Sequence, residues 1–218
     1  MKTDTADTHW NTEWAAITTD SKWAKAEPDV IRWKAGLTPG AHILDLGSGV
    51  GRHALALARD GFAVTALDAA PEGNAALRAN AQAAGLSVET VEARMTSLPF
   101  ADGTFDHVLS WNVIYHGDED IVRSSIREIT RVLKPGGTFL GTMLSARRVP
   151  VELAKAPGRE VSRNTWVFEG EGDKVHPHYF CTAAELLELF PGFEALWIED
   201  REHESPGSWH WHVLLERL

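Results

Sequence analysis

A chain of 218 residues, 44% hydrophobic and 24% charged, can bury one substantial core but leaves little for a second domain. Its formal charge of −10 repels phosphates and argues against nucleic acid as a partner. The single cysteine, Cys181, excludes an internal disulfide. No apolar run approaches membrane-spanning length, and Met1 to Trp10 lack the apolar stretch of a secretory leader, so a cytoplasmic protein with no membrane partner is expected.

Residues 1–40 precede the first clear strand and hold Trp10, Trp14, Trp23 and Trp33. The first strand, His42 to Leu46, ends in a glycine-rich turn, and a helix carrying Ala54, Leu55, Leu57 and Ala58 follows until Gly61 stops it. Phe62 to Leu67 reads as the second strand, Pro71 to Ala84 as a helix ending at Gly85, and Leu86 to Glu92 as the third strand. A turn at Asp102-Gly103 leads into the fourth, Phe105 to Trp111. Asp118 to Leu133 has apolar residues at helical spacing (Ile121, Val122, Ile126, Ile129, Val132 and Leu133) and is broken by Pro135-Gly136-Gly137. Thr138 to Leu144 is the fifth strand. Residues 145–181 form a long stretch rich in Gly, Pro and charge, the signature of a lid or binding loop. A helix (Thr182 to Phe190), a strand (Phe193 to Asp200) and a last strand (Trp209 to Glu216) close the chain. Such alternation predicts an α/β fold with a parallel sheet and helices on both faces.

The strongest local signal is Ile43-Leu44-Asp45-Leu46-Gly47-Ser48-Gly49-Val50-Gly51. An apolar strand runs into glycines at alternate positions and then into a helix. The glycines let a ligand lie against backbone, and the helix N-terminus offers free N–H groups. Asp68 ends the second strand about 20 residues later, where a carboxylate can accept both hydroxyls of a ribose. Together they predict a nucleoside site. The third glycine comes one residue too early for the dinucleotide pattern.

The spacing Asp45-x-Gly47-x-Gly49-x-Gly51 resembles the first motif of class I S-adenosylmethionine-dependent methyltransferases. Leu98-Pro99-Phe100-Ala101-Asp102-Gly103-Thr104-Phe105-Asp106 is similar to that family's approach to strand four, and Arg131-Val132-Leu133-Lys134-Pro135-Gly136-Gly137 to its turn into strand five. This resemblance implies a Rossmann-like, seven-stranded, mostly parallel sheet with the last strand antiparallel. It also implies S-adenosylmethionine as cofactor, with S-adenosylhomocysteine as product. By position, Asp45, Gly47, Ser48, Gly49 and Gly51 would surround the methionine part, Asp68 and Ala69 the ribose, and Met95 the adenine. Trp111 and Asn112 complete the expected cofactor contacts. Arg94 stands where the family often has an Asp near the adenine amino group, and arginine cannot accept a hydrogen bond.

The methyl group of the cofactor is expected beyond strands four and five, beside Asn112, Tyr115 and His116. These three are the catalytic candidates. His116 is the first choice of base because an unperturbed imidazole titrates near neutrality, or it only orients an acceptor that needs no base. Trp14 and Trp23, with residues 8–36, are expected to cover the site, and Arg147, His176, His178 and Tyr179 to line the substrate pocket. Arg52 and His53 read as stabilising the first helical turn, and Arg148 accompanies Arg147.

His176-x-His178 and His210-x-His212 have spacing that can chelate zinc on a strand, and with His116 they could make a multi-histidine metal site. No Cys or acidic ligand joins them in an obvious pattern, so no metal is expected. The histidine pieces and Trp166-Val167-Phe168 look like small-molecule methyltransferases of the tellurite-resistance and thiopurine types.

The expected organisation is one domain, residues 1–218. It comprises an N-terminal helical lid (1–40), a cofactor-binding core (41–144), a substrate-side insertion (145–181) and a C-terminal helix and strand pair (182–218). The expected activity is methyl transfer to a small-molecule S, Se, N or O acceptor by a monomer or homodimer. Two other readings stay open: a methyltransferase acting on RNA or protein, and a non-catalytic binder of the same cofactor.

Overall fold

Four of the five residues of β1 (His42–Leu46) are buried, as expected of a strand covered on both faces. Around it a computed structural model describes residues 3–17, 21–203 and 205–218; residues 18–20 of the expected lid lie outside them. β2 (Ala63–Asp68) pairs parallel on one side of β1, with β3 (Glu89–Glu92) beyond it. β4 (Phe105–Ser110) pairs parallel on the other side, followed by β5 (Leu133–Ser145). Against β5 lies β10 (Trp209–Arg217), antiparallel, with β9 (Phe193–Glu202) at that edge. Seven strands with an antiparallel last strand are what the sequence predicts.

Alternate strand residues feed two cores. Leu44, Leu46, Val108, Phe139 and Val213 pack with Ile126 and Ile129 of α5 (Glu119–Val132) and Leu186 of α7 (Ala183–Leu189). On the other face, Ile43, Val64, Ala66 and Leu109 meet α2 (Pro28–Lys34), α3 (Arg52–Arg59) and α4 (Pro71–Ala84). Helix ends follow local chemistry. Asp118 caps α5 by accepting the Ile121 N–H at 3.1 Å, and Thr182 and Glu185 form a capping box on α7.

The insertion departs from the expected loop. It folds into α6 (Val149–Lys155) and three strands, β6 (Gly158–Ser162), β7 (Thr165–Phe168) and β8 (His178–Cys181), so the sheet has ten strands rather than seven. β4 leaves the side of β5 after Gly141, and β8 takes that place by pairing Phe180 and Cys181 with Leu144 and Ser145. The short β-rich pieces were hidden from a reading of composition because Gly, Pro and charge dominate the segment. Its placement matters: β8 brings His178 beside His116.

The N-terminal segment supplies α1 (Ala6–Ala15). Among the described residues no helix is long and apolar enough to cross a membrane.

Ile129 is fully buried in the larger core. Ile129→Ala is expected to destabilise the fold by about 2–5 kcal/mol, read as a lower denaturant midpoint with an unchanged slope.

Candidate active site

The turn after β1 is shaped by close approaches. Gly49 sits at φ +52, and a Cβ there would lie 2.7 Å from the indole of Trp14. A Cβ on Gly51 would collide with Leu77 of α4. Gly49 therefore admits the cover of the site, whereas Gly51 admits a helix. Gly51 does not border the cleft, contrary to the sequence expectation.

Asp68 ends β2 and joins the two loops that flank the cleft. Its Oδ2 accepts the Gly49 N–H at 2.8 Å and its Oδ1 the Ala70 N–H at 2.8 Å. Burial holds its carboxyl above the ordinary range, opposed by these backbone donors. Asp45 lies one residue before the end of β1. It is buried, does not border the cleft, and accepts the Ala54 N–H at 2.9 Å, securing the start of α3. Burial pushes its pKa up to about 7.

The resulting cleft opens at the carboxyl ends of β1, β2 and β4. Gly47, Ser48, Gly49, Asp68, Ala69, Arg94, Met95, Trp111, Asn112 and His116 all border it. So do Trp14 and Trp23, on the cofactor side rather than in a substrate pocket proper. Trp10 borders it as part of the covering segment 8–36, whereas Asp4 and Asp7 were not anticipated. Trp10 and Trp14 stack with centroids 5.0 Å apart, and Trp23 meets both edge-on at 5.5 Å. Arg94, which cannot accept a hydrogen bond from an adenine amino group, clamps this cover: its guanidinium reaches Asp4 at 2.6 Å and Asp7 at 2.7 Å. Arg52 also borders the cleft, 2.8 Å from Glu27, while His53 Nε2 accepts the Glu27 N–H at 3.3 Å.

Beyond β4 the backbone turns sharply at Asn112, φ +62, a left-handed conformation that asparagine tolerates better than most residues. Thr142 holds it there, accepting the Asn112 N–H at 2.8 Å and donating to its Oδ1 at 3.1 Å. His116 is 6% exposed; its Nδ1 lies 2.7 Å from the Val113 carbonyl and its Nε2 has no hydrogen-bond partner.

A second, polar cavity adjoins the first and shares Trp10, Trp23, Arg52, Trp111 and Asn112 with it. Tyr115, Arg148, Asp173, His178, His203, His210 and His212 contribute to its walls. Burial depresses His203 to about 4, His210 to about 2 and His212 to about 3, so these rings are neutral at physiological pH. Burial raises the Tyr115 phenol above its ordinary range, so it keeps its proton at physiological pH. Three expected pocket residues lie elsewhere. Arg147 covers the Trp209 ring at 3.5 Å, His176 Nδ1 meets Thr5 Oγ1 at 2.9 Å, and Tyr179 is buried; none borders either cavity.

A nucleoside-type cleft at the carboxyl ends of parallel strands defines a Rossmann-like binding fold. The methyltransferase domain family model matches residues 43–137. The uncharacterized methyltransferase YodH of Bacillus subtilis is 34% identical over 78% of this chain and 70% of its own length. The chain belongs to the class I S-adenosylmethionine-dependent methyltransferases. The ubiquinone biosynthesis O-methyltransferase of Paramagnetospirillum magneticum is 38% identical over 49% of this chain and 41% of that protein, so the chain spans less than half the length of some curated relatives. The fold is similar to that of 1,6-didemethyltoxoflavin-N1-methyltransferase of Burkholderia thailandensis, solved with 1,6-didemethyltoxoflavin and S-adenosylhomocysteine bound: the TM-score is 0.70 at 21% identity, over 95% of this chain and 83% of the other.

Because the folded pKa of Asp45 lies above its ordinary 3.8, at about 7, its contribution to stability is greatest below pH 4 and is lost as pH rises toward 7. Asp45→Asn should therefore gain stability relative to the parent across that window, by a few kcal/mol at about 1.4 per pH unit. Denaturant unfolding at pH 4.5 and 7.5 checks this; a constant difference would show that Asp45 ionises without penalty.

Proposed function

We propose that the chain transfers a methyl group from S-adenosylmethionine to a small-molecule acceptor in the polar cavity beside the cleft. The observation that carries this reading is a set of unsatisfied polar atoms. Trp10, Trp14 and Trp111 Nε1, Ser48 Oγ and His116 Nε2 are buried without hydrogen-bond partners, and all five residues border the cleft. Buried polar groups are normally paired, so a polar ligand is the natural complement. S-adenosylmethionine suits this set: its carboxylate, ribose and adenine offer acceptors to indole N–H donors, and Asp68 retains lone pairs for ribose hydroxyls.

When bound, the cofactor supplies a methyl carbon on a positively charged sulfur. The protein's part is alignment, desolvation and proton handling. The tryptophan cover excludes water and presents ring faces that favour a cation. Asn112, locked by Thr142, fixes the border between cofactor and acceptor. His116 directs a free Nε2 toward that border. This nitrogen can take the acceptor's proton, or hold an ion that would lower the acceptor's pKa so that the proton passes to solvent. The nucleophile is an S, Se, N or O atom of a free small molecule, and the acidic surface disfavours a nucleic-acid acceptor.

Calorimetric titration tests the reading. S-adenosylmethionine and S-adenosylhomocysteine are both expected to bind at micromolar concentration. Asp68→Ala should weaken each by at least about tenfold, the scale of a lost charged hydrogen bond. His116→Ala should lower methyl transfer by at least about tenfold and affect affinity less. Absence of binding, or equal affinity in the Asp68 variant, would refute the cofactor assignment.

A further inference from the structure

Three side chains converge where the two cavities meet. His116 follows β4 and borders the cofactor cleft; His178 opens β8, and Asp173 begins the single turn 173–175. His178 and Asp173 border the polar cavity. Their metal-capable atoms (two imidazole nitrogens and one carboxylate oxygen) all lie within 4.8 Å of one another. Asp173 Oδ2 is 3.3 Å from His178 Nε2 and 3.9 Å from His116 Nε2. The backbone holds the two histidines together through a bridge between residues 116 and 178, and through the Gly117 N–H donating to the Pro177 carbonyl at 2.9 Å.

The hydrogen-bond pattern defines the rings. His116 Nδ1 lies 2.7 Å from the Val113 carbonyl and His178 Nδ1 2.8 Å from the His176 carbonyl. A carbonyl oxygen only accepts, so both Nδ1 atoms donate. Each Nε2 faces the Asp173 carboxylate, whose oxygens carry lone pairs. The other carboxylate oxygen, Oδ1, is turned to Lys174 Nζ at 3.5 Å. Metal-bound histidines characteristically donate their second nitrogen to a carbonyl or carboxylate, and bound carboxylates are themselves supported. Both features are present.

We propose that His116, Asp173 and His178 form a site for a divalent first-row transition-metal ion of the zinc type, open toward the acceptor. Two imidazoles with one carboxylate suit zinc or iron better than magnesium or calcium. Bonds of ~2.0–2.2 Å to a tetrahedral ion set its ligand atoms ~3.3 Å apart. The Asp173–His178 pair is already at 3.3 Å and the Asp173–His116 pair at 3.9 Å, so small side-chain adjustments complete the shell. The ligand it would take is an acceptor with a coordinating thiol, hydroxyl or carboxylate. This inference rests on the proposed function, since it places the ion between cofactor and acceptor. It differs from the sequence expectation of no metal: the site takes one member of a His-x-His pair and an aspartate from the insertion. His176, His210 and His212 are engaged elsewhere, with Thr5, Arg148 and Asp29 respectively.

The test is calorimetry of the metal-depleted full chain, without a polyhistidine tag, titrated with Zn²⁺. One equivalent should bind at micromolar concentration or tighter. Asp173→Asn and His178→Gln should each weaken that binding by at least about tenfold while leaving S-adenosylhomocysteine affinity unchanged, which also reports an intact fold. No zinc binding by the parent chain would overturn the proposal, whatever the variants do. Binding unaffected by either substitution would overturn it as well. Loss of S-adenosylhomocysteine binding in the parent would instead defeat the cofactor assignment, leaving the zinc result to decide this site independently.

Discussion

The site depends on one buried carboxylate. Asp68 accepts backbone N–H groups from Gly49 and Ala70, and so sets the distance between the turn after β1 and the start of α4. Parallel strands bring these segments together at their carboxyl ends, where Gly47 and Ser48 N–H donate to the Leu67 carbonyl at 2.7 and 3.1 Å. The carboxylate extends that connection to Gly49 and Ala70. Its burial penalty is offset by the same donors. The Asn74 side chain donates to the Asp68 carbonyl at 2.9 Å, which ties α4 to that strand end as well. The positions of Gly49, Trp14 and the cover of the cleft follow from this anchor.

The cover is a second consequence. Trp14 can approach because Gly49 and Gly73 lack side chains: a Cβ on either would come within 2.7 or 2.8 Å of the indole. Arg94 then secures the beginning of α1 through Asp4 and Asp7. The polar floor beyond is made of neutral histidines, kept so by burial, among paired charges such as Arg148 with Glu152 at 2.6 Å. An aromatic chamber beside a polar one suits the proposed transfer of a methyl group from a sulfonium to a polar acceptor.

Local features were legible in the sequence; long-range ones were not. The strand-glycine-helix passage at 43–51 and Asp68 need only neighbouring residues and strand pairing, and their places follow from spacing. Asp45 and Gly51 carry the same motif, yet they serve helix packing, a distinction that appears only once Ala54 and Leu77 are in position. Arg94 looked anomalous because its partners are about 90 residues away in sequence. Asp173 carried no signal, since an acidic residue in a Gly-rich stretch reads as solvated. Trp10 was visible as one of several N-terminal tryptophans, but helical spacing alone could not tell cover from core. Arg147 and Tyr179 show the reverse error: chemistry suited to a pocket, with orientation set by Trp209 and by the core.

The central claim is that cofactor binds between the turn after β1 and the tryptophans of α1. Hydrogen–deuterium exchange with and without S-adenosylhomocysteine tests it most directly. The account predicts slowed exchange in two separate segments, residues 6–15 and 47–51, because the ligand bridges them. Slowing in neither segment, with protection confined to other parts of the chain, would contradict it.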